Sequence, residues 1–220
     1  MRHGEPAWTP GNRVDNNPEL TDIGHAQAEA LARRDWGDID ELWVSPLTRA
    51  RQTVEPIERA LRKEAQVVDW LEEIRNPEDW HGLPAESFYE LFREHNLSPR
   101  RNLWRGLPGG ESVLDFHRRV VGGLQRTLAE HGLARVADYD PHLWEQTSAK
   151  RVLWVAHGGT NAVSIGHLLG AEPTPWEWSR FDSAHTAVAV VRTTRVSTAH
   201  AFGLHAFGDV AHLTPDQITR

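Results

Sequence analysis

Arg2 and His3 stand side by side near the start of the chain, in MRHGEPAW. A guanidinium is a permanent cation with a planar fork of donors, and an imidazole beside it can donate, accept a proton or attack. Together they could hold phosphate. A chain end that nothing ties down does neither, because it frays. Three further positions bear on the choice: Arg49 in SPLTRARQT, Glu73 in DWLEEIRN, and His157 in VLWVAHGGTN, where Gly158 and Gly159 follow at once. Alone, His157 reads equally as a satisfied structural histidine. The glycines after it favour an anion site, because backbone N–H groups at a helix start attract negative charge.

Those residues need elements to carry them. LTDIGHAQAEALARRD over 20–35 has the periodicity of an amphipathic helix, with Thr21 as N-cap. DELWVS at 40–45 is a short apolar run that predicts a buried strand. From Pro46 the pattern predicts a helix, kinked at Pro56, and AQVVDW at 65–70 predicts a second strand. Residues 74–108, rich in proline and glycine with one helical piece near ESFYELFREH, predict an excursion over the strand ends. Ser112 to about His131 predicts a long helix with Val113, Phe116, Val120, Leu124 and Leu128 on one stripe. RVLWVAH at 151–157 is the clearest strand, and Gly158-Gly159 opens a helix ending at Gly170. Residues 134–149 predict an exposed polar loop, and 184–194 and 195–207 predict edge strands. This alternation predicts one α/β domain over residues 1–220: three layers, doubly wound, with a mostly parallel sheet and helices on both faces. Ligands in such folds sit beyond the carboxyl ends of the strands. Arg49, Glu73 and His157 all fall there.

Composition excludes several classes. At 220 residues, 39% hydrophobic and 25% charged, the chain can bury a sizeable core. No apolar run is long enough for a membrane span, and the net charge of −7 argues against nucleic acid as a partner. The absence of cysteine rules out disulfides and thiolate metal sites and makes a reducing cytoplasm the default. Thirteen histidines lack the tight spacings of metal sites, so no metal is expected.

RHGE, LTDIGHAQA, SPLTRARQT, LEE with a following WHG, PGGES, VAHGG and FGDVAHL occur in this order between Arg2 and Leu213. The ordered set resembles the histidine phosphatase superfamily, with its phosphoglycerate-mutase-like fold. The resemblance implies a phosphomonoesterase for a small phosphorylated metabolite, working without cofactor through a phosphohistidine. It makes His3 the nucleophile, Arg2 and Arg49 a phosphate clamp, and His157 a donor to the phosphoryl oxygens. Glu73 becomes the acid and then the base; Glu72 is the competing carboxylate, and the family's L-x-E favours Glu73. Gly158 would lie against the phosphate.

The chain also departs from the pattern. Thr9 stands where many relatives carry asparagine, and Asn12 could supply that contact instead. The usual W-E-G reads Trp80-His81-Gly82, and His81 either touches substrate or faces water. Only Met1 precedes RHG, where the family carries an apolar strand. The expectation is a short apolar strand encoded in frame ahead of Met1, pairing beside RVLWVAH and aiming His3, without which the chain is less stable and less active; the alternative is a compromised protein. Arg100, Arg101 and Arg105 keep mutase-type phosphoryl transfer open, although the E-R-H-Y-G of mutases is absent. A non-catalytic phosphoester-binding module is the third reading. A homo-oligomer stays open.

Overall fold

The computed structural model describes the backbone of all residues except 98 and 137–141, and the side chains of those and of residues 88, 92, 94–96, 100 and 101 lie outside the description. β1 (Glu41–Val44) pairs in parallel with β5 (Val152–Val155), Trp43 opposite Trp154, and with the short β2 (Gln66–Val67), giving the order β2-β1-β5. Strand side chains alternate between faces. Leu42, Val44, Leu153 and Val155 meet Leu31 of α1 (Asp22–Ala32) and Val54 and Ile57 of α2 (Thr48–Leu61). Trp43 and Trp154, their rings stacked at 6.2 Å, meet Phe116, Val120 and Leu124 of α4 (Val113–Glu130) and Val163 of α5 (Gly158–Leu168). Helices thus cover both faces of a parallel sheet.

The caps act as their residue types dictate. The Thr21 hydroxyl accepts from Gly24 N–H, and Ser112 accepts from Asp115 N–H. Gly170 takes φ +71° just past α5. α2 starts two residues after Pro46 and runs unbroken through Pro56. α3 (Ala85–Asn96) lies within the predicted excursion. The strand expected at 65–70 is cut to two residues, because Asp69–Leu71 turn into a 3-10 helix that buries Trp70 and Leu71.

A second, antiparallel sheet has the order β3-β4-β7-β6. It contains β3 (Leu133–Arg135), β4 (Trp144–Gln146), β6 (Val188–Val196) and β7 (Ala199–Asp209). Two expectations change here. β7 is flanked on both sides, so only β6 of the C-terminal pair is an edge. The insertion at 134–149 contributes two strands rather than an exposed loop, because Trp144 is 1% exposed and packs edge-on against Phe202, with the Arg135 guanidinium over its ring at 4.8 Å. Residues 137–141 of the insertion lie outside the described residues.

A cavity of about 800 Å³ is lined by both sheets, by Leu153 and Trp154 of β5 and Val188 and Val190 of β6, together with Leu124 and Met1. Met1 does not fray. Its amine donates to Trp154 C=O at 2.8 Å, its carbonyl accepts from Ala156 N–H at 3.0 Å, and His3 N–H donates to Ala156 C=O at 2.9 Å. These bonds follow a parallel ladder centred on the bridge Arg2–Ala156.

Candidate active site

The ladder at residues 1–3 continues β5 past its last residue and sets His3 beside the end of that strand. Gly4 then passes so close to α1 that a Cβ on it would lie 2.6 Å from Gly24 C=O; a Cβ on Gly24 would lie 2.2 Å from Glu5 C=O. Only two glycines allow this crossing, which accounts for the glycines of RHGE and LTDIGH. The strap is fastened from three sides. Gly4 N–H donates to Thr53 Oγ1 on α2, Glu5 N–H to Gln27 Oε1 on α1, and Thr186 N–H to His3 C=O.

His3 is 3% exposed, and its Nδ1 lies 2.7 Å from Gly4 C=O. A carbonyl can only accept, so Nδ1 carries the proton and Nε2 keeps a lone pair. Burial, then Arg49, His157 and Arg2, push the His3 pKa well below its ordinary value, which keeps the ring neutral. Nε2 accepts from Arg49 Nε at 3.2 Å. Arg49, on the first turn of α2, is 2% exposed, its guanidinium lies 4.8 Å from the Trp8 ring, and burial lowers its pKa to about 10, so it remains a cation. Arg2 donates through Nη1 to Ser183 C=O at 2.6 Å and through Nη2 to His185 Nε2 at 3.0 Å. Arg2 Nε and Arg49 Nη1 are buried and have no protein partner.

His157 closes β5 and precedes α5, fully buried, its ring centroid 5.0 Å from that of His3. Its Nε2 lies 2.7 Å from Ser45 Oγ, which already accepts from Leu47 N–H at 3.3 Å. With the Ser45 hydroxyl proton directed to Nε2, the imidazole proton lies on Nδ1, which is buried without a partner. Three buried nitrogens with no protein partner, on Arg2, Arg49 and His157, therefore surround a neutral imidazole whose unprotonated Nε2 is held only by Arg49 Nε–H. In a chain of net charge −7 this local excess of donors is a cradle for an anion.

Glu73 supplies the carboxylate. Its Oε2 accepts from Gly159 N–H at 2.8 Å and its Oε1 from Ile74 N–H at 3.1 Å. Burial raises its pKa, against the pull of these hydrogen bonds and of Arg49 and Arg2, so its protonated form is favoured more than for an exposed glutamate. Glu72 turns away and ion-pairs with Arg75 at 2.7 Å. Of the two carboxylates only Glu73 is in the cluster.

The remaining expected residues divide. Gly158 lies in the cluster, with a built Cβ 3.9 Å from Arg2 Nε; the anion held by the next N–H of that turn is Glu73 itself. Thr9 and Asn12 flank and end a 3-10 turn, Asn12 exposed at φ +62°, and only Trp8 ties this segment to the cluster, through Arg49. The His81 side chain is 66% exposed and 3.6 Å from Asp15. Arg105 is exposed; the side chains of Arg100 and Arg101 lie outside the described residues. Sequence reasoning missed Ser45, His185 and Trp178, whose indole stands 2.4 Å from where a Cβ on Gly159 would lie. Ser45 is the last residue of a predicted strand and was legible by position; the other two come from a C-terminal segment with no motif of its own. Among the described residues, no group of three or more His, Asp or Glu side chains is arranged for a metal ion, and no helix is long and apolar enough to cross a membrane.

The family model described as Histidine phosphatase superfamily (branch 1) matches residues 1–201, and the chain belongs to that superfamily. A probable phosphatase of Schizosaccharomyces pombe is 23% identical over 215 residues, 93% of this chain and 87% of the relative. Among solved structures, a phosphoserine phosphatase of Entamoeba histolytica in complex with 3-phosphoglyceric acid has a TM-score of 0.66 at 23% identity, covering 97% of this chain and 96% of that one. The alpha-ribazole phosphatase of Shigella flexneri has a TM-score of 0.69 at 19% identity, covering 95% and 94%. The fold is that of phosphoglycerate-mutase-like phosphatases.

Proposed function

We propose that this member of the histidine phosphatase superfamily is a phosphomonoesterase that hydrolyses a small phosphorylated metabolite through a phosphohistidine on His3. The observation that carries the reading is the set of three buried, unpartnered nitrogens, Arg2 Nε, Arg49 Nη1 and His157 Nδ1, around the unprotonated Nε2 of His3. The phosphatase names of the relatives support it, as does the absence of cysteine for a reducing, cytoplasmic setting.

A phosphoryl group passing between two oxygens or nitrogens needs in-line positioning and charge stabilisation more than covalent help. In the cradle, the three donors take the non-bridging oxygens. His3 Nε2 attacks phosphorus as the ester P–O bond breaks, and the leaving alkoxide takes the proton of the Glu73 carboxyl. Water then donates a proton to the Glu73 carboxylate as its oxygen attacks phosphorus. The P–N bond breaks, His3 regains its lone pair, and Glu73 is again protonated. Substrate choice falls to the segments around the cradle, the 74–108 excursion and the Trp8 turn.

The test is a rapid quench with a labelled alkyl phosphate. The expected result is a phosphoprotein that survives alkali and decays in acid, with label passing to inorganic phosphate. His3→Ala should lose the phosphoprotein and turnover yet still bind inorganic phosphate. Release of phosphate from phenyl phosphate by His3→Ala at the parent rate overturns the covalent scheme. Label moving to an acceptor hydroxyl identifies a mutase, and phosphate binding without any turnover identifies a binding module.

A further inference from the structure

The PGGES segment and α4 contain a partly buried ion pair that the proposed chemistry does not use. Glu111 and Arg119 meet in a two-pronged contact, Arg119 Nε to Glu111 Oε1 at 2.8 Å and Nη2 to Oε2 at 2.7 Å. Their side chains are 11% and 19% exposed. Arg119 does more than neutralise Glu111. Its Nη1 donates to Glu72 C=O and its Nη2 to Glu73 C=O, both at 3.1 Å. Glu111 holds the next stretch: its Oε2 accepts from Arg75 N–H at 3.2 Å, and its own N–H donates to Arg75 C=O at 2.9 Å. Thr160 adds a bond from α5 to Glu72 C=O at 3.0 Å. The glycines fit this scheme, since a Cβ on Gly110 would lie 2.8 Å from Arg75 C=O and one on Gly106 2.6 Å from Glu111 C=O.

The segment Glu72–Arg75 carries Glu73 but has no sheet ladder, because β2 ends at Val67. Its backbone is held instead by Arg119 of α4, by Glu111 just ahead of that helix and by Thr160 of α5. We infer that Arg119 and Glu111 are positioning residues that hold the Glu72–Arg75 backbone so that the Glu73 carboxyl delivers its proton to the leaving group. The inference rests on the proposed phosphatase reading and adds residues to it. Arginine is required by geometry. Four bonds leave one planar guanidinium for two carboxylate oxygens and two carbonyls, and the point-like ammonium of lysine cannot reproduce that fan. Loosening an acid by about 1 Å costs up to roughly a hundredfold in the step that needs it.

The experiment compares kcat/KM for an alkyl phosphate with that for p-nitrophenyl phosphate, because this ratio reports events only up to departure of the leaving group. Nitrophenolate leaves without a proton and alkoxide does not. Arg119→Met should lower kcat/KM on the alkyl ester roughly ten- to a hundredfold and leave the nitrophenyl ester within about twofold. Arg119→Lys and Glu111→Gln should give smaller losses of the same kind; they carry the test if Arg119→Met does not fold. In a Glu73→Gln background, adding Arg119→Met should cost nothing more on the alkyl ester, since the acid it positions is gone. Equal losses on both esters, or a further loss in the Glu73→Gln background, would overturn the positioning role. If Glu73→Gln itself spares the alkyl ester, the assignment of Glu73 fails first, and the two failures are told apart.

Discussion

The two ends of β5 contrast. At its carboxyl end the chain is cross-linked in every direction: His3 is held through Gly4, Glu5 and Thr186, and His157 through Ser45. Along its free edge lies the cavity of about 800 Å³ shared with β6, lined by apolar side chains such as Met1, Leu153 and Val188 and by polar ones such as Lys150 and Asn161. The site therefore does not take its rigidity from the sheet interior. It takes it from hydrogen bonds thrown across by α1, α2 and the C-terminal segment, including Gln27, which ties Glu5 N–H to Gln217 and Thr219. Such bonds pin His3 beside the end of β5.

The sharpest way to break this contrast is to damage one end and read both. Arg49→Lys removes the fork that spans His3 Nε2 and the phosphate cradle, and should cut kcat on the order of a hundredfold to a thousandfold, while the melting temperature moves by only a few degrees. A rate near the parent's would mean the unpartnered Arg49 Nη1 has no role in the transition state.

Filling the cavity should do the reverse. The ladder fixes the register: a residue joined ahead of Met1 falls opposite Trp154, and the third residue ahead falls opposite Val152. Four apolar β-formers placed there should raise stability by roughly 2–3 kcal/mol, or about 5–10 °C. The rate gain should be smaller than the loss from Arg49→Lys, since His3 is already fastened. Measured by thermal melting and phosphatase rate, no gain in either would show that the cavity does not take a strand; a large rate gain without stabilisation would show that the two ends are not separable.

The pH dependence sharpens the same point. Burial lowers the Met1 amine from 8.0 to about 5. Between those values the unfolded chain takes up a proton that the folded chain resists, so the amine's contribution to stability is full above pH 8 and is lost as pH drops. The buried histidines, whose unfolded value is 6.5, add losses of the same sign only further down. Between pH 8 and 6.5 the amine should cost on the order of 1 kcal/mol, seen in urea unfolding, and extension ahead of Met1 should abolish that slope. A slope unchanged by extension would assign it to other groups.

The smallest effect concerns His157. Ser45→Ala removes the hydroxyl that fixes its tautomer and should lower kcat by about tenfold with KM nearly constant. A rise in KM alone would make Ser45 a contact for ground-state binding.

Much of the site was legible in the sequence because its side chains follow apolar runs, whose sudden stops are visible in the residue pattern. Arg49, Glu73 and His157 were placed this way, and the Thr21 and Ser112 caps followed from residue type. The insertion at 134–149 was misjudged because three-residue strands carry too little periodicity to register, and what makes Trp144 a core residue is Phe202, far along the chain. Glu72 and Glu73 were inseparable by composition; one meets a neighbour three residues away and the other a helix 86 residues on.

What the sequence determined by itself is the set of reactive side chains and the order of the elements carrying them, since both depend on residue type and local period. Tertiary structure alone decided which nitrogen of His3 is unprotonated, which carboxylate joins the cluster, and that Arg119 and Glu111 clasp the backbone of Glu72–Arg75. Each of those is a choice of hydrogen-bond partner between segments distant in the chain, and a donor's type does not say which acceptor the fold will bring within 3 Å.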